Sequence, residues 1–444
     1  MTSLRRKDVL LIAGPIIASN LSTPLLGLAD TAVIGNLGDP ALLGAIAVGG
    51  MIFSFVYWGF GFLRMGTTGL VAQAAGAGDQ TEVVAALYRA ALLAVGIGIA
   101  LVICQYPISA AAFRLIDGSA AVESAAATYF TIRIWAAPVS LLNLVFLGYL
   151  LGHQRATTIL VLQLLLNGTN IILDILFVVV LDWGVAGVAW ATVTAECLAA
   201  AVGILLVRRH RLASYPVLQL TWQRVLDIPA MKRTLSVNRD IMIRTLCLIF
   251  AFAWFTNEGA GAGDVMLAAN AILMQFVSFS AFFLDGYALA AESLTGNAVG
   301  ARDRNLLQRT LRYISELGFT TAVGLTLAIV LAGPMVIDLL TTATDVRAAS
   351  RDYLLWAVAA PTVSLWCYLL DGIFIGATCT REMRNAMVIS LLGFLGAWYV
   401  FSGSLGNHGL WLSLHCYFVV RALTLLAYLP RVLNLTESEP TART

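Results

Sequence analysis

Polar side chains recur inside stretches otherwise built of Leu, Ile, Val and Ala. Gln163, Asn167, Asn170 and Asp174 follow one another at spacings of 4, 3 and 4, which places all four on one face of a helix. On an apolar helix such a face must turn toward the protein interior or a water-filled cavity. A seam of amides between helices needs no carboxylate, so Asp174 points beyond helix packing to the binding of a proton or a metal cation. Thr192 and Thr194 stand in the following apolar run, within reach of the same pocket. Asp30 lies deep in the first apolar run, beyond Pro15 and Pro24. A proline inside a helix removes a backbone hydrogen bond and kinks it, so a proton on Asp30 could change the bend. The plainer reading makes Asp30 a solvated or capping residue, since Asn36 and Asp39-Pro40 follow closely.

The second half of the chain has its own set. Asp285 and Glu292, seven apart, share a helix face, and Asp371 stands beside Tyr368 in a later run. All four, together with Gln163 and Asn167 of the first half, are candidates for lining a substrate cavity, although Glu292 could instead neutralise an arginine. Asp240 and Arg244 are spaced i, i+4 and read most simply as a structural ion pair. A charge near the centre of a bilayer costs roughly 2.5–3.5 kcal/mol, so each of these residues needs a reason to be there. Other chemistries find no support. The histidines at 153, 210, 408 and 415 have no metal-ligand spacing, and the six cysteines form no C-x-x-C pair. There is no H-E-x-x-H, no G-x-S-x-G and no phosphate-cradling loop. No catalytic residue or cofactor is expected, nor any metal other than a coupling cation, and the energy source should be an ion gradient rather than ATP.

The elements that carry these residues follow from composition. The chain of 444 residues is 59% hydrophobic and 12% charged, about half the charged fraction of a soluble domain. Its apolar runs match the roughly 20 residues a helix needs to cross a bilayer, and only helices or closed barrels satisfy the backbone there. Twelve such runs are expected. With the amino terminus inside and the runs alternating, only Arg114, Arg347 and Arg351 of the 27 Lys and Arg fall in outer loops. Five more, Arg64, Arg133, Arg239, Arg244 and Arg421, lie within runs, and the remaining nineteen lie on the inner side. This bias places both termini in the cytoplasm of a multi-pass inner-membrane protein. Arg5-Arg6-Lys7 before an apolar run mimics a signal peptide, but the run is too long and holds Pro15, Asn20, Pro24 and Asp30.

The longest inner connection divides the chain into residues 1–207, a linker at 208–231, residues 232–429 and a tail at 430–444. The two halves resemble each other. Leu70-x-x-Gln73-Ala-x-Gly76-Ala-Gly-Asp79 returns as Leu294-x-x-Asn297-Ala-x-Gly300-Ala-Arg-Asp303, 224 residues later. The same offset joins Tyr129 to Tyr353 and Gly152 to Gly376. The expected fold is therefore an all-α membrane protein, with twelve transmembrane helices in two six-helix lobes related by a pseudo-two-fold axis along the membrane normal. Two such lobes rocking about a central cavity make a transporter.

The chain resembles the multidrug and toxic compound extrusion (MATE) family, in its DNA-damage-inducible protein F branch. The resemblance spans essentially the whole chain. It rests on Pro24-Leu-Leu-Gly-Leu-Ala-Asp30-Thr-Ala-Val-Ile-Gly35, Asn170-x-x-x-Asp174, Gly184-x-x-Gly187-x-Ala-Trp190, Asn238-Arg239-Asp240-x-x-x-Arg244 and Asp371-Gly-x-x-x-Gly376 with Arg381-x-Met383-Arg384-Asn385. It implies a V-shaped pair of lobes, alternating access, and export of cationic or amphipathic organic compounds in exchange for protons or sodium. It maps an amino-terminal-lobe cation site onto Asp30, Asn170, Asp174 and Thr192, and a helix kink onto Pro15. The glutamate that some sodium-driven branches carry in the seventh span is not evident here, which favours coupling through the amino-terminal lobe. A flippase of lipid-linked precursors and an intramembrane transferase are the rival readings. No nucleic-acid partner is expected, and the working unit should be a single chain in the lipid bilayer. Single cysteines placed between 208 and 231 should react only with reagents on the cytoplasmic side, and those between 257 and 264 only from outside. Reaction of both loops from one side would end the twelve-span reading.

Overall fold

The computed structural model describes residues 4–35, 40–115, 119–214 and 221–437. Among these residues every regular element is helical and no strand occurs. Eleven helices are long and apolar enough to cross a membrane: α2 (Leu42–Gly76), α3 (Gln80–Ile103), α4 (Ala120–Gly152), α5 (Ala156–Val180), α6 (Gly184–Ser214), α7 (Trp222–Gly261), α8 (Asp264–Gly300), α9 (Arg304–Leu340), α10 (Thr344–Gly376), α11 (Thr380–Leu405) and α12 (Asn407–Asn434). Before them α1 (Arg6–Gly35) adds a twelfth helix of 30 residues, which runs unbroken through Pro15 and Pro24. The expected linker at 208–231 is helical in part. α6 continues to Ser214, a single turn covers Trp222–Val225, and the long helix of α7 resumes at Ile228. Residues 215–220 lie outside the described ones.

The internal repeat is built into these helices. α3, α4 and α5 begin at Gln80, Ala120 and Ala156, and α9, α10 and α11 begin at Arg304, Thr344 and Thr380, each 224 residues later. Helix starts and stops repeat in detail. Asp79 accepts a hydrogen bond from the Glu82 amide at 2.9 Å, and Asp303 accepts one from the Leu306 amide at 2.9 Å, so the same N-cap opens α3 and α9. The residues just past the preceding helices take left-handed conformations in matching places, Gly78 with φ +73° and Arg302 with φ +51°. Such a residue ends a helix and frees its last carbonyls for the reversed turn.

Contacts divide the chain into two compact units. One comprises Met1–Ile17, Ala72–Gly78 and Arg239–Thr444; the other comprises Ala18–Val71 and Asp79–Asn238. In the second unit Phe53, Tyr129, Phe130 and Val188 form a buried cluster. In the first, Phe255, Phe394, Trp411, Tyr417 and Phe418 do so. Large apolar side chains such as Leu331, Leu339, Leu355 and Tyr399 point outward, as a lipid-facing surface requires.

Lipid tails are as apolar as leucine, so helices here associate through close packing and hydrogen bonds rather than through exclusion of water. Glycine supplies the closeness. A Cβ at Gly148 would overlap the Arg64 carbonyl oxygen, and one at Gly372, its counterpart in the repeat, would overlap the Ala288 carbonyl oxygen. Within the first unit the crossing of the two motif ends is reciprocal: Gly76 lies against the backbone of Asn297, and Gly300 against that of Gln73. Gln73 then donates to the Gly376 carbonyl at 3.0 Å. Asn270 and Asn407 exchange two amide hydrogen bonds, at 2.8 and 3.0 Å, to join α8 to α12. Replacing Gly300 by Leu should therefore lower the stability of the purified protein by about 1–3 kcal/mol or more. Gly96→Ala should be tolerated, since a methyl group there meets nothing within 4 Å. Melting temperatures in detergent check the pair, and an undisturbed Gly300→Leu would contradict the crossing.

Candidate functional site

The sequence of α5 sorts itself by face. Asn167, Asn170 and Asp174 are buried, while Leu164, Ile172 and Ile175 are exposed on the other side. The polar face is tied to its neighbours one turn at a time. Gln163 donates to Asn167 at 3.1 Å, Asn167 donates to the Ser22 hydroxyl of α1 at 2.9 Å, and Asn170 donates to the Thr192 hydroxyl of α6 at 3.3 Å. Asp174 is 1% exposed and closes the α-helical part of α5. The six residues after it, Ile175–Val180, form a π-helical turn, a rare form concentrated at functional sites. Ser22 lies between the two prolines of α1, so the α5 stripe holds that helix where its backbone lacks hydrogen bonds. The side chain of Asp30 lies outside the described residues; its backbone belongs to α1. Pro15 is half-buried and Pro24 exposed.

Thr194 does not join this site. It is exposed and donates to the Trp190 carbonyl of its own helix at 2.8 Å. Two residues from Thr192 is more than half a helical turn, so the two hydroxyls cannot share one face. The π turn and the Ser22 contact were not foreseen from sequence.

The carboxy-terminal half gathers a different cluster. Asp371 on α10 accepts from Arg421 Nε at 3.1 Å and is also ion-paired with the terminal nitrogens of Arg421 and Arg244. All three side chains are buried. This corrects the expected pair of Asp240 with Arg244. Asp240 instead binds Arg384 at 2.8 Å and Arg239 at 3.1 Å. Positions i and i+4 are neighbours on a helix, but an arginine is long enough to leave its own helix for a buried acid, where the absence of water makes pairing worth more. Arg421, left without a role above, is the partner that was missed; its signal was a charge in mid-span. Asp371 therefore does not present a free carboxylate. Asp285 is half-buried and close enough to Tyr368, also half-buried, to interact electrostatically. Glu292 is buried at the α8–α10 crossing, where Gly376 packs on its carbonyl oxygen.

Among the described residues no group of three His, Cys, Asp or Glu could hold a metal ion. His153, just beyond α4, packs against His210 at a tilt, with ring centroids 4.6 Å apart. Burial first, then His210 and Arg155, pushes His153 down to about 3, so it is neutral at physiological pH.

The chain is similar to known proteins over most of its length. A family model described as MatE matches residues 15–176 and 241–399. DNA damage-inducible protein F of Escherichia coli K12 is 42% identical over 94% of this chain and 90% of its own. A Rhizobium meliloti protein named "Probable multidrug resistance protein NorM" is 25% identical over 96% of this chain and 94% of its own. Among solved structures, a MOP superfamily transporter from Pyrococcus furiosus superposes with a TM-score of 0.87 at 20% identity, covering 98% of this chain and 97% of its own. The buried cluster orders a set of stabilities. Asp371→Asn strands two buried guanidinium groups and should cost about 3–5 kcal/mol. Asp240→Asn should cost less, because Arg239 and Arg384 are 59% and 23% exposed. Thermal unfolding of the two purified variants tests that order, and the reverse order would refute it.

Proposed function

The chain belongs to the MATE family of membrane transporters, and we propose that it exports small organic molecules, cationic or amphipathic in character, in exchange for protons. It is a transporter and not an enzyme. One observation carries the coupling reading: a carboxylate, Asp174, is buried on the single polar face of a helix that otherwise contacts apolar groups. Such a group can be held in lipid surroundings as a neutral acid or with a bound cation. Asn170 and Thr192 supply oxygens beside it, which would also serve a sodium ion.

The internal repeat supports pairing Asp174 with Asp30. The positions 224 residues after Asp30 and Asp174 are Trp254 and Trp398, whose rings pack edge to face at 5.1 Å. Two positions in contact in one half have their counterparts in the two acids of the other. The carboxy-terminal half is the weaker candidate for coupling, because the carboxylate of Asp371 is already bound by two arginines.

In this reading the basic ends of the helices face the cytoplasm, and protons enter the amino-terminal half from outside. A proton moving inward down 100 mV releases roughly 2.3 kcal/mol, and each pH unit adds roughly 1.4 kcal/mol. For a monovalent cationic substrate exchanged one for one, the voltage contributions cancel and only the pH difference drives export. Binding of substrate and proton are then mutually exclusive states of one lobe, linked through α1, which the α5 stripe holds at Ser22. Dye efflux from proteoliposomes, under pH and sodium gradients imposed separately, tests the proposal. Asp30→Asn and Asp174→Asn should each fold and insert, yet lose pH-driven efflux. Wild-type efflux in both variants, or dependence on sodium alone, would overturn proton coupling through this site.

A further inference from the structure

A second buried acid lies close to the proposed coupling site and was singled out by no motif. Glu196 is on α6, four residues from Thr192, so the two share a helix face one turn apart. Glu196 is 9% exposed. It forms no ion pair among the described residues, although a buried carboxylate in lipid surroundings normally needs one.

The hydrogen bonds around it say which form it takes. The Ser140 hydroxyl of α4 stands within hydrogen-bond distance of two acceptors, the Ala136 carbonyl at 3.0 Å and the carboxyl oxygen Oε2 of Glu196. A hydroxyl carries one hydrogen. If Ser140 donates to Ala136, as the i, i−4 geometry favours, the contact with Glu196 needs a hydrogen from Glu196 itself. A neutral Glu196 that donates to Ser140 gives each contact a hydrogen of its own, whereas an ionised Glu196 would have to share the single hydrogen of Ser140 with Ala136.

The surrounding charges agree. Arg133 of α4 is near enough to Glu196 to interact electrostatically, but it is engaged elsewhere. It donates to the Tyr129 hydroxyl at 2.7 Å, and its guanidinium carbon lies 4.7 Å from the centre of the Phe53 ring. The buried Nε of Arg133 has no hydrogen-bond partner among the described residues. Other titratable groups facing this place are Tyr57 of α2 and Tyr129 of α4, with Cys197 beside Glu196 on α6. Asn143 fixes the position of Glu196 by donating to its backbone carbonyl at 3.1 Å.

We propose that Glu196 is a second proton-binding carboxylate of the amino-terminal half, neutral in the conformation described, and that on losing its proton it draws Arg133 away from Tyr129 into an ion pair. The step is balanced within the chain. The O–H bond of Glu196 breaks, its proton leaves to water, and Ser140 turns its own hydrogen from Ala136 to the new carboxylate. The charge that appears on Glu196 is met by a cation already in place. The transfer changes how α4 and α6 hold each other, which gives the half two proton-dependent arrangements. The role of this step in transport rests on the proton-coupling reading above; the proton on Glu196 does not.

Infrared spectroscopy of the purified full-length protein in lipid tests the proposal directly, because a buried neutral acid has a carboxylic C=O band that an ionised one lacks. Glu196→Gln should remove one such band at neutral pH, and Asp174→Asn should leave that band in place. Arg133→Met should keep the band to a pH higher by about 1 unit or more, since a nearby cation favours ionisation of an acid. Should Glu196→Gln fail to fold, Glu196→Asp, which keeps an acid in altered surroundings, must move the band. A spectrum unchanged in Glu196→Gln, or in Glu196→Asp, overturns the assignment. In proteoliposomes Glu196→Gln should also lose pH-driven dye efflux. If the band is assigned to Glu196 while Asp30→Asn and Asp174→Asn transport normally, the coupling reading fails and the protonated Glu196 stands. If those two variants lose transport while Glu196→Gln lacks any change of band, the reverse holds.

Discussion

Where α10 crosses α8, Gly372 and Gly376 lie against the carbonyl oxygens of Ala288 and Glu292, with no room for a methyl group on either. In a membrane this closeness replaces the hydrophobic effect as the force that fixes one helix against another. Its consequence is register. Asp371 is the residue before Gly372, so seating the glycine decides where the acid stands, and there it meets Arg244 of α7 and Arg421 of α12. The same crossing in the other half, Gly148 on Arg64, has Leu147 in the place of Asp371. One packing rule thus serves both halves, and the charges are added to it differently.

That difference is the functional content of the fold. The carboxy-terminal half compensates buried Asp371 with two cations, Arg244 and Arg421, which makes the cluster costly to break. In the amino-terminal half Glu196 meets the Ser140 hydroxyl rather than an arginine. Asn170 and Asp174 correspond to Phe394 and Trp398 in the repeat, and Glu196 to Val420. Aromatic and aliphatic side chains in one half stand where the other carries an amide and two carboxyl groups.

The buried polar row also explains why α1 tolerates two prolines. Each proline leaves a backbone carbonyl without its usual donor. The segment between them is held instead from the side, through Ser22 and Asn167. A helix held from the side near its prolines is a natural place for motion, whereas α10 and α8, locked by glycine contacts, are not.

The sequence by itself determined the helices, their number and the repeat. These depend on local properties: apolar length, cap residues such as Asp79 and Asp303, and a fixed offset that the helix starts reproduce. It also determined the polar face of α5, because a helical period maps spacing directly onto direction. Only the tertiary structure decided which charges meet. Asp240 and Arg244 are neighbours on their own helix, yet Arg244 reaches Asp371, 127 residues away in sequence, and Asp240 reaches Arg384, 144 residues away. The same holds for Ser140 and Glu196, joined across 56 residues. A long side chain in a medium without water goes to whichever buried partner the packing places within its reach, and that packing is set by glycine contacts between helices, which spacing along one chain does not record.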